Sequence, residues 1–363
     1  MASESLKSLV ITSIGTAGPN DAASVALGLG VSVPHVISAF YRAPTTLVDR
    51  LPDATATAVA ELLASLGCEV EIVPSDSPPP ELAQLLDVAV HITDEARFEP
   101  VAAAAATFLG CPEEEARRLL LATPPVLLGQ VSSATVEALR HRLGEGVSVL
   151  SSDPALAGYD VLLGECPAVH RARLLADLRA MGFDPDTGPW VLRGLTKDQA
   201  DAIWARHRRT PSLQVTNQNF YRYEVVLNGG EADATTTAAL TSAGVPVDVV
   251  PRLFNALPVI VADELSERAA KDLIAKLTQV GLEVHAELTT FLQLGVRVNA
   301  WTSPTKVRAT LRAAGLKDPP DAIPFVLGPW PELTARLVRN MLVSAGTDAE
   351  LADGELVNAG GRA

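Results

Sequence analysis

One pattern of strand and helix signals recurs five times along the 363-residue chain, and this repeat limits the fold more than any other feature. Each copy reads as a strand, one or two helices, a second strand, a helix and a third strand. A proline precedes the middle strand of every copy, at Pro44, Pro125, Pro189, Pro258 and Pro324. Recurrence at intervals of about 65 residues is typical of an array of small modules rather than one large domain.

The second copy, between residues 99 and 153, carries the clearest local signals. Gly110 and Pro112 separate two helices, because glycine ends a helix in the left-handed conformation and proline begins the next one. Ser132 is a candidate cap for a third helix. The runs VLLG and VSVL that flank this third helix have the length and apolar content of strands.

The sequence therefore predicts an α/β protein built from α+β sandwich modules, in five tandem repeats. Each module is a small three-stranded sheet with two or three helices. Because strand–helix–strand crossovers require parallel pairing, we expect parallel strands with the helices on one face. The third and fifth copies lack the second helix, since short turns rich in proline and aspartate take its place. The predicted module boundaries are residues 1–76, 84–153, 156–218, 219–289 and 292–356, followed by a disordered tail at 357–363.

Composition excludes several classes of protein. The chain is 48% apolar and 20% charged, which is typical of globular proteins rather than disordered ones. A net charge of -14 makes nucleic acid an unlikely main partner. No apolar run is long enough to cross a membrane, and the N-terminus does not read as a signal peptide. With three widely separated cysteines, these features predict a bacterial cytoplasmic location.

Catalytic and metal-binding motifs are not visible in the sequence. No two of the six histidines have metal-ligand spacing with a carboxylate partner, and no phosphate loop or dinucleotide fingerprint is present. His91 and His285 fall in strands of alternating pattern, where a structural or surface role is expected. We therefore expect no enzymatic activity, no cofactor and no catalytic or metal-binding residues.

Aromatic and basic residues supply the candidates for partner binding. The tryptophans and tyrosines near the strands are read either as core residues or as exposed anchors for a partner. The basic segment after Trp204 is read either as cations that favour a helix C-terminus or as a nucleic-acid contact. The candidate partner-binding residues are Trp190, Trp204, Arg206, Arg208, Arg209, Tyr221, Tyr223 and Trp330.

The first two copies resemble the C-terminal domain of the bacterial ribosomal stalk protein. The motifs that carry the resemblance are Gly110, Glu115-Ala116, Arg117-Arg118-Leu119, Pro124 and VSVL in the second copy, and Gly28 to Gly30, Arg42-Ala43-Pro44 and GCEVEIV in the first. The same fold is similar to that of the adaptor that delivers substrates to a bacterial protease. The resemblance implies a fold used for protein–protein contact. The lysines with which the stalk family contacts translation factors are replaced here by Glu113 and Glu114 in the second copy and by Val33 and Pro34 in the first.

Taken together, these features predict a non-enzymatic, multivalent scaffold or assembly factor that binds protein partners. Modules in series present repeated contacts and gain avidity from their tether. The alternatives are a self-associating structural subunit of a larger assembly, or a protein that binds a small molecule or acts as an enzyme in a cleft between modules. A homo-oligomer is compatible with the first two hypotheses.

Overall fold

The computed structural model describes residues 6–320 and 322–353, so the predicted tail at 357–363 lies outside the described residues. The described residues form thirteen α-helices and fifteen β-strands, and the strands form five three-stranded sheets in tandem. The predicted α/β fold class and the five repeating modules are confirmed. The chain divides into two compact units, one ending at Leu156 and the other beginning at Ala157.

The first unit contains two modules. Its elements in chain order are β1 (Lys7–Ser13), α1 (Pro19–Leu29), α2 (Val33–Tyr41), β2 (Thr45–Leu51), α3 (Asp53–Ser65), β3 (Glu69–Pro74), β4 (Leu86–Ile92), α4 (Phe98–Leu109), α5 (Glu113–Leu120), β5 (Val126–Val131), α6 (Ser133–Leu143) and β6 (Val147–Ser152). As predicted, Gly110 ends α4 in the left-handed conformation at φ 67°, and the Ser132 side chain caps α6 by accepting from the Thr135 amide.

The second unit contains three modules. Its elements are β7 (Tyr159–Leu163), α7 (Ala168–Ala180), β8 (Trp190–Leu195), α8 (Lys197–His207), β9 (Leu213–Asn217), β10 (Tyr223–Gly229), α9 (Ala234–Ser242), α10 (Val250–Leu253), β11 (Val259–Leu265), α11 (Glu267–Gln279), β12 (Glu283–Leu288), β13 (Gln293–Trp301), α12 (Pro304–Ala313), β14 (Phe325–Pro331), α13 (Glu332–Ser344) and β15 (Thr347–Asp353). The described residues of the third and fifth modules form one helix, not two, before the middle strand, which confirms the prediction.

Strand pairing differs from the prediction. In every sheet the first strand of the module lies in the centre and pairs antiparallel with both of the others, so the first sheet has the order β2-β1-β3. The crossover rule holds only for the second and third strands, which a helix joins and which run in the same direction. They are not adjacent, because the first strand lies between them. The expected parallel pairing is therefore wrong.

The core of each module lies on one face of its sheet. In the fourth module, Val225 and Leu227 of the central strand pack with Leu240 of α9 and Leu277 of α11. The residues between them on the central strand point to the opposite side, because side chains alternate along a strand. We call the side away from the helices the outer face of the sheet.

A β-bulge interrupts the middle strand of all five modules at the same register. Two residues of the middle strand lie opposite one residue of the central strand, as where Tyr223 pairs with Leu265 and Val225 with Ala262. The bulges are Asp49-Arg50, Gly129-Gln130, Arg193-Gly194, Asp263-Glu264 and Gly328-Pro329. One residue of each bulge has a positive φ, whether or not it is glycine. The bulge thus marks equivalent positions in modules whose sequences have diverged.

Candidate interaction surface

One position on the outer face is equivalent in all five sheets. It lies on the middle strand, at the edge of the sheet. Its partner on the central strand comes two residues after the residue that lies opposite the bulge. The residues at this outer-face position are Thr46, Val126, Trp190, Ile260 and Val326, opposite Val10, Ala89, Leu162, Val226 and Arg297. Residues that face each other across an antiparallel pair project to the same side, so each pair belongs to one surface.

The outer-face position carries an exposed apolar side chain in three modules. The exposed fractions are 38% for Val126, 52% for Ile260 and 55% for Val326. Single exposed apolar residues are ordinary on a protein surface. The recurrence of this feature at one structural position in separate sheets is the observation that distinguishes it.

The third module covers the same position with aromatic side chains. Trp190 is only 5% exposed, although it is not part of the core on the helical side of its sheet. Tyr221 and Phe291 pack edge-to-face against its ring, with centroid distances of 5.8 and 5.2 Å, and Arg193 lies over it at 4.5 Å. Phe291 comes from the turn between β12 and β13. A neighbouring segment of the chain therefore occupies the outer face of the third sheet.

Hydrogen bonds complete this cover around Asp160, which is opposite the bulge of the third sheet. The Tyr221 hydroxyl donates to the Asp160 carboxylate at 3.0 Å and lies 2.6 Å from the Thr216 hydroxyl. The Gln218 amide donates to Asp160 at 2.7 Å, and the Gly194 backbone amide donates to it at 2.9 Å. Burial, followed by the charge of Asp160, raises the pKa of Tyr221, so the hydroxyl keeps the proton that it donates.

The aromatic candidates therefore divide differently from the sequence-based prediction. Trp190 and Tyr221, which is 2% exposed, are buried against each other and cannot serve as exposed anchors, which corrects that interpretation. Tyr223 is half-buried against the fourth core, where burial raises its pKa to about 12. Trp330 is half-buried against the fifth core. No sequence signal marks Phe291, because its role depends on packing between elements far apart in the chain.

The basic candidates remain on the surface at the end of α8. Trp204 is 44% exposed, and Arg206, Arg208 and Arg209 are all exposed. The Arg206 guanidinium lies 3.9 Å from the Asp177 carboxylate, a distance at which an exposed pair contributes little. These residues place three cations and one exposed indole within six residues of the chain, and we call them the cationic patch.

Carboxylates crowd the outer face of the fourth sheet. Glu224 of β10 lies directly opposite Glu287 of β12. Burial raises the pKa of Glu224, and the negative charges of Glu287 and Glu332 raise it further. The pKa of Glu264 is also raised, first by burial and then by Glu332. This surface is therefore acidic and incompletely compensated.

A histidine bridges the other end of this acidic face. The His285 ring lies 2.8 Å from a Glu287 carboxylate oxygen through Nε2, and its Nδ1 lies 2.6 Å from the Asn228 amide nitrogen. When protonated, this ring lowers the pKa of Glu224, so His285 offsets part of the negative charge of this face.

A crevice of about 550 Å³ lies between the first and second modules, lined in part by Thr16, Glu69, Glu137 and His141. Its cation, Arg142, already donates to the Thr16 carbonyl at 3.1 Å and lies over the Phe108 ring. Within residues 6–320 and 322–353, no three His, Cys, Asp or Glu side chains are grouped to hold a metal ion. Over the same residues, no helix is long and apolar enough to cross a membrane.

Comparison with protein-family models, with curated proteins and with solved structures found no match to this chain.

Proposed function

We propose that this chain is a non-enzymatic, multivalent scaffold or assembly factor of the bacterial cytoplasm, whose protein partners bind the outer faces of its sheets. The observation that supports this proposal is the outer-face position. It is apolar and exposed in the second, fourth and fifth modules, and it is covered by Tyr221 and Phe291 in the third.

The third module illustrates how a polypeptide segment binds such a face. Its Trp190 is covered by residues from a linker and a turn, without any added strand. Burying apolar area contributes about 25 cal/mol per Å², so each exposed position offers a modest gain to a partner. Several such positions on one chain raise the overall affinity, because once one module has bound, binding at the next is intramolecular.

Self-association through the sheet edges is the alternative, and the edges themselves oppose it. Every middle strand carries a bulge, which distorts the edge that a second chain would extend. The opposite edges carry carboxylates, among them Glu71 in the first sheet, Glu283 in the fourth and Glu350 in the fifth. Like charges on two such edges repel each other.

The test compares two triple variants of the full-length chain. One carries Val126→Lys, Ile260→Lys and Val326→Lys on the outer faces. The control carries Leu27→Lys, Leu82→Lys and Val169→Lys, which change even more exposed apolar residues outside the sheets. Matched amounts of each chain are immobilised and incubated with bacterial lysate. The oligomeric state of each purified chain is measured separately by size-exclusion chromatography with light scattering.

We expect the native chain and the control to recover the same protein at stoichiometric yield, and the outer-face variant to lose it. Equal recovery by both variants would contradict the proposed surface. A large homo-oligomer of the native chain that dissociates only in the outer-face variant would instead favour the self-associating subunit.

A further inference from the structure

We propose that the outer face of the fourth sheet binds an arginine- or lysine-rich segment of a partner protein, which places an aromatic side chain against Ile260. This inference rests on the proposed function and specifies the chemistry of one partner segment. An exposed apolar pair, the aromatic cover of the equivalent pair in the third sheet and the charges around the exposed pair support it.

The apolar half of the site is the pair formed by Ile260 and Val226. Ile260 is half exposed, while Val226 opposite it is buried. The equivalent pair of the third sheet is Trp190 and Leu162, over which Phe291 packs. Aromatic side chains pack well against β-branched residues on a sheet surface. The third sheet thus shows that an aromatic residue suits this position.

The charged half of the site distinguishes the fourth sheet from the other two exposed faces. At the position opposite the bulge, the second sheet has Asp87 opposite Ser152, a single carboxylate. At the same position the fifth sheet has Gly295 opposite Ala352, which carry no charge. In the fourth sheet Glu224 lies opposite Glu287, which places two carboxylates together. Only the fourth of these faces therefore has an acidic pair directly beside its apolar pair.

Cations of the chain itself compensate this acidity only in part. Arg222 approaches Glu264 at 3.9 Å and donates to the Tyr221 carbonyl at 2.9 Å. Arg336 forms an ion pair with Glu332. Asp263 adds a further negative charge near Glu224. A guanidinium or ammonium group from a partner would stabilise the ionised carboxylates, and arginine can do so with two hydrogen bonds.

A foreign partner accounts for the charges better than a second copy does. Two copies would each carry a net charge of -14 and repel each other at long range. The cationic patch of the chain, which includes Trp204, Arg208 and Arg209, has the chemistry that the site requires. Its binding to the fourth sheet of another copy is therefore a defined outcome of the test.

The experiment measures binding of a short fluorescein-labelled peptide, rich in arginine with one central phenylalanine, to the full-length chain by fluorescence anisotropy. The site variants are Ile260→Ser and the double variant Glu224→Gln with Glu287→Gln. The control is Glu61→Gln with Glu81→Gln, which removes the same charge from exposed positions elsewhere. A second peptide replaces the phenylalanine with alanine, and circular dichroism checks the fold of every variant.

We expect each site variant, and the alanine peptide, to weaken binding about tenfold, while the control changes it less than about twofold. Equal weakening by the control would show that only net charge attracts the peptide and would overturn the proposal. Unchanged affinity in the site variants would overturn it as well. Concentration-dependent self-association that Arg208→Glu with Arg209→Glu abolishes would identify the occupant as a second copy and would overturn the foreign partner.

These outcomes are separable from those of the triple-variant test. If the outer-face triple variant loses its partner but the peptide does not bind the fourth sheet, the scaffold proposal is retained and the cationic chemistry is wrong. If the peptide binds at the fourth sheet but the triple variant keeps its partner, the scaffold proposal fails in its present form.

Discussion

The third and fourth sheets share a fold, a strand order and a bulge, yet their outer faces are in opposite states. In the third sheet, Trp190 is covered by Phe291, and Asp160 receives hydrogen bonds from Tyr221 and its neighbours. In the fourth sheet, Ile260 is exposed and Glu224 lies opposite another carboxylate. The difference teaches that the outer face is one surface with two uses. One sheet binds a segment of its own chain, and the other leaves the equivalent surface open.

The largest expected difference between the two faces comes from truncating the outer-face position. Trp190→Ala removes a buried indole and should lower the free energy of unfolding by about 3–5 kcal/mol. Ile260→Ala removes a half-exposed side chain and should cost less than about 1 kcal/mol. Urea unfolding followed by circular dichroism measures both. Similar losses would show that the two faces are equally buried in solution and would remove the comparison.

Removing the cover should convert the closed face into an open one. Phe291→Ala deletes a half-buried ring from the aromatic cluster, with an expected loss of about 1–3 kcal/mol. Trp190 should then become more exposed, which a red shift of tryptophan fluorescence would report. Thr290→Ser changes the neighbouring residue of the same turn as a control and keeps the hydroxyl that accepts from the Arg222 amide at 2.6 Å. An unshifted emission in the Phe291 variant would mean that Phe291 does not shield Trp190.

The hydrogen-bonded half of the cover should contribute less. Tyr221→Phe keeps the ring and removes the hydroxyl that donates to Asp160. Asp160 is 2% exposed and keeps its bonds from Gly194 and Gln218, so we expect a loss of about 1–2 kcal/mol. Chemical denaturation of Tyr221→Phe beside Tyr223→Phe gives a matched comparison, because both tyrosines flank the same linker. A larger loss in Tyr223→Phe would contradict the role assigned to the Asp160 network.

Local features of this fold were predictable from sequence. Gly110 and Ser132 mark helix ends through their own backbone and side-chain chemistry, and the missing helices of the third and fifth modules follow from short proline-rich turns. Strand pairing was not predictable in this way. The order of the three strands in a sheet, such as β2-β1-β3, depends on contacts between elements distant in sequence. The helix-linked strands do run parallel, but another strand lies between them.

The surface was less predictable than the fold, for a related reason. Trp190 and Ile260 stand at equivalent positions in similar strands, and nothing in either strand says which one is covered. The answer depends on Phe291, which belongs to a turn after the fourth sheet. Trp204 and the arginines of α8 could be recognised because an exposed helix end needs no distant partner. Residues with a positive φ, such as Glu264, carried no sequence signal, since glycine is the usual marker of that conformation.

The smallest expected effect concerns pH and separates two carboxylates of the fourth module, Glu224 on the outer face and Asp233 at a helix end, by sign. The pKa of Glu224 is raised in the folded state by burial and then by Glu287, so its contribution to stability is fully present below the ordinary glutamate pKa and is lost as pH rises through the raised value. Glu224→Gln should therefore stabilise the chain near neutral pH and lose this advantage in mild acid. Asp233, which caps α9 of the same module, has a lowered pKa because it accepts hydrogen bonds from Thr236.

Asp233→Asn should consequently show the opposite trend, with a loss near neutral pH that shrinks as the pH falls through the aspartate range. Urea midpoints for the native chain and both variants, measured from strongly acidic to neutral pH, test the pair within one module. Parallel curves for the two variants would mean that Glu224 is compensated in solution, which would weaken the case for a cationic partner. Diverging curves would place the uncompensated charge on the outer face of the fourth sheet, where Ile260 is exposed.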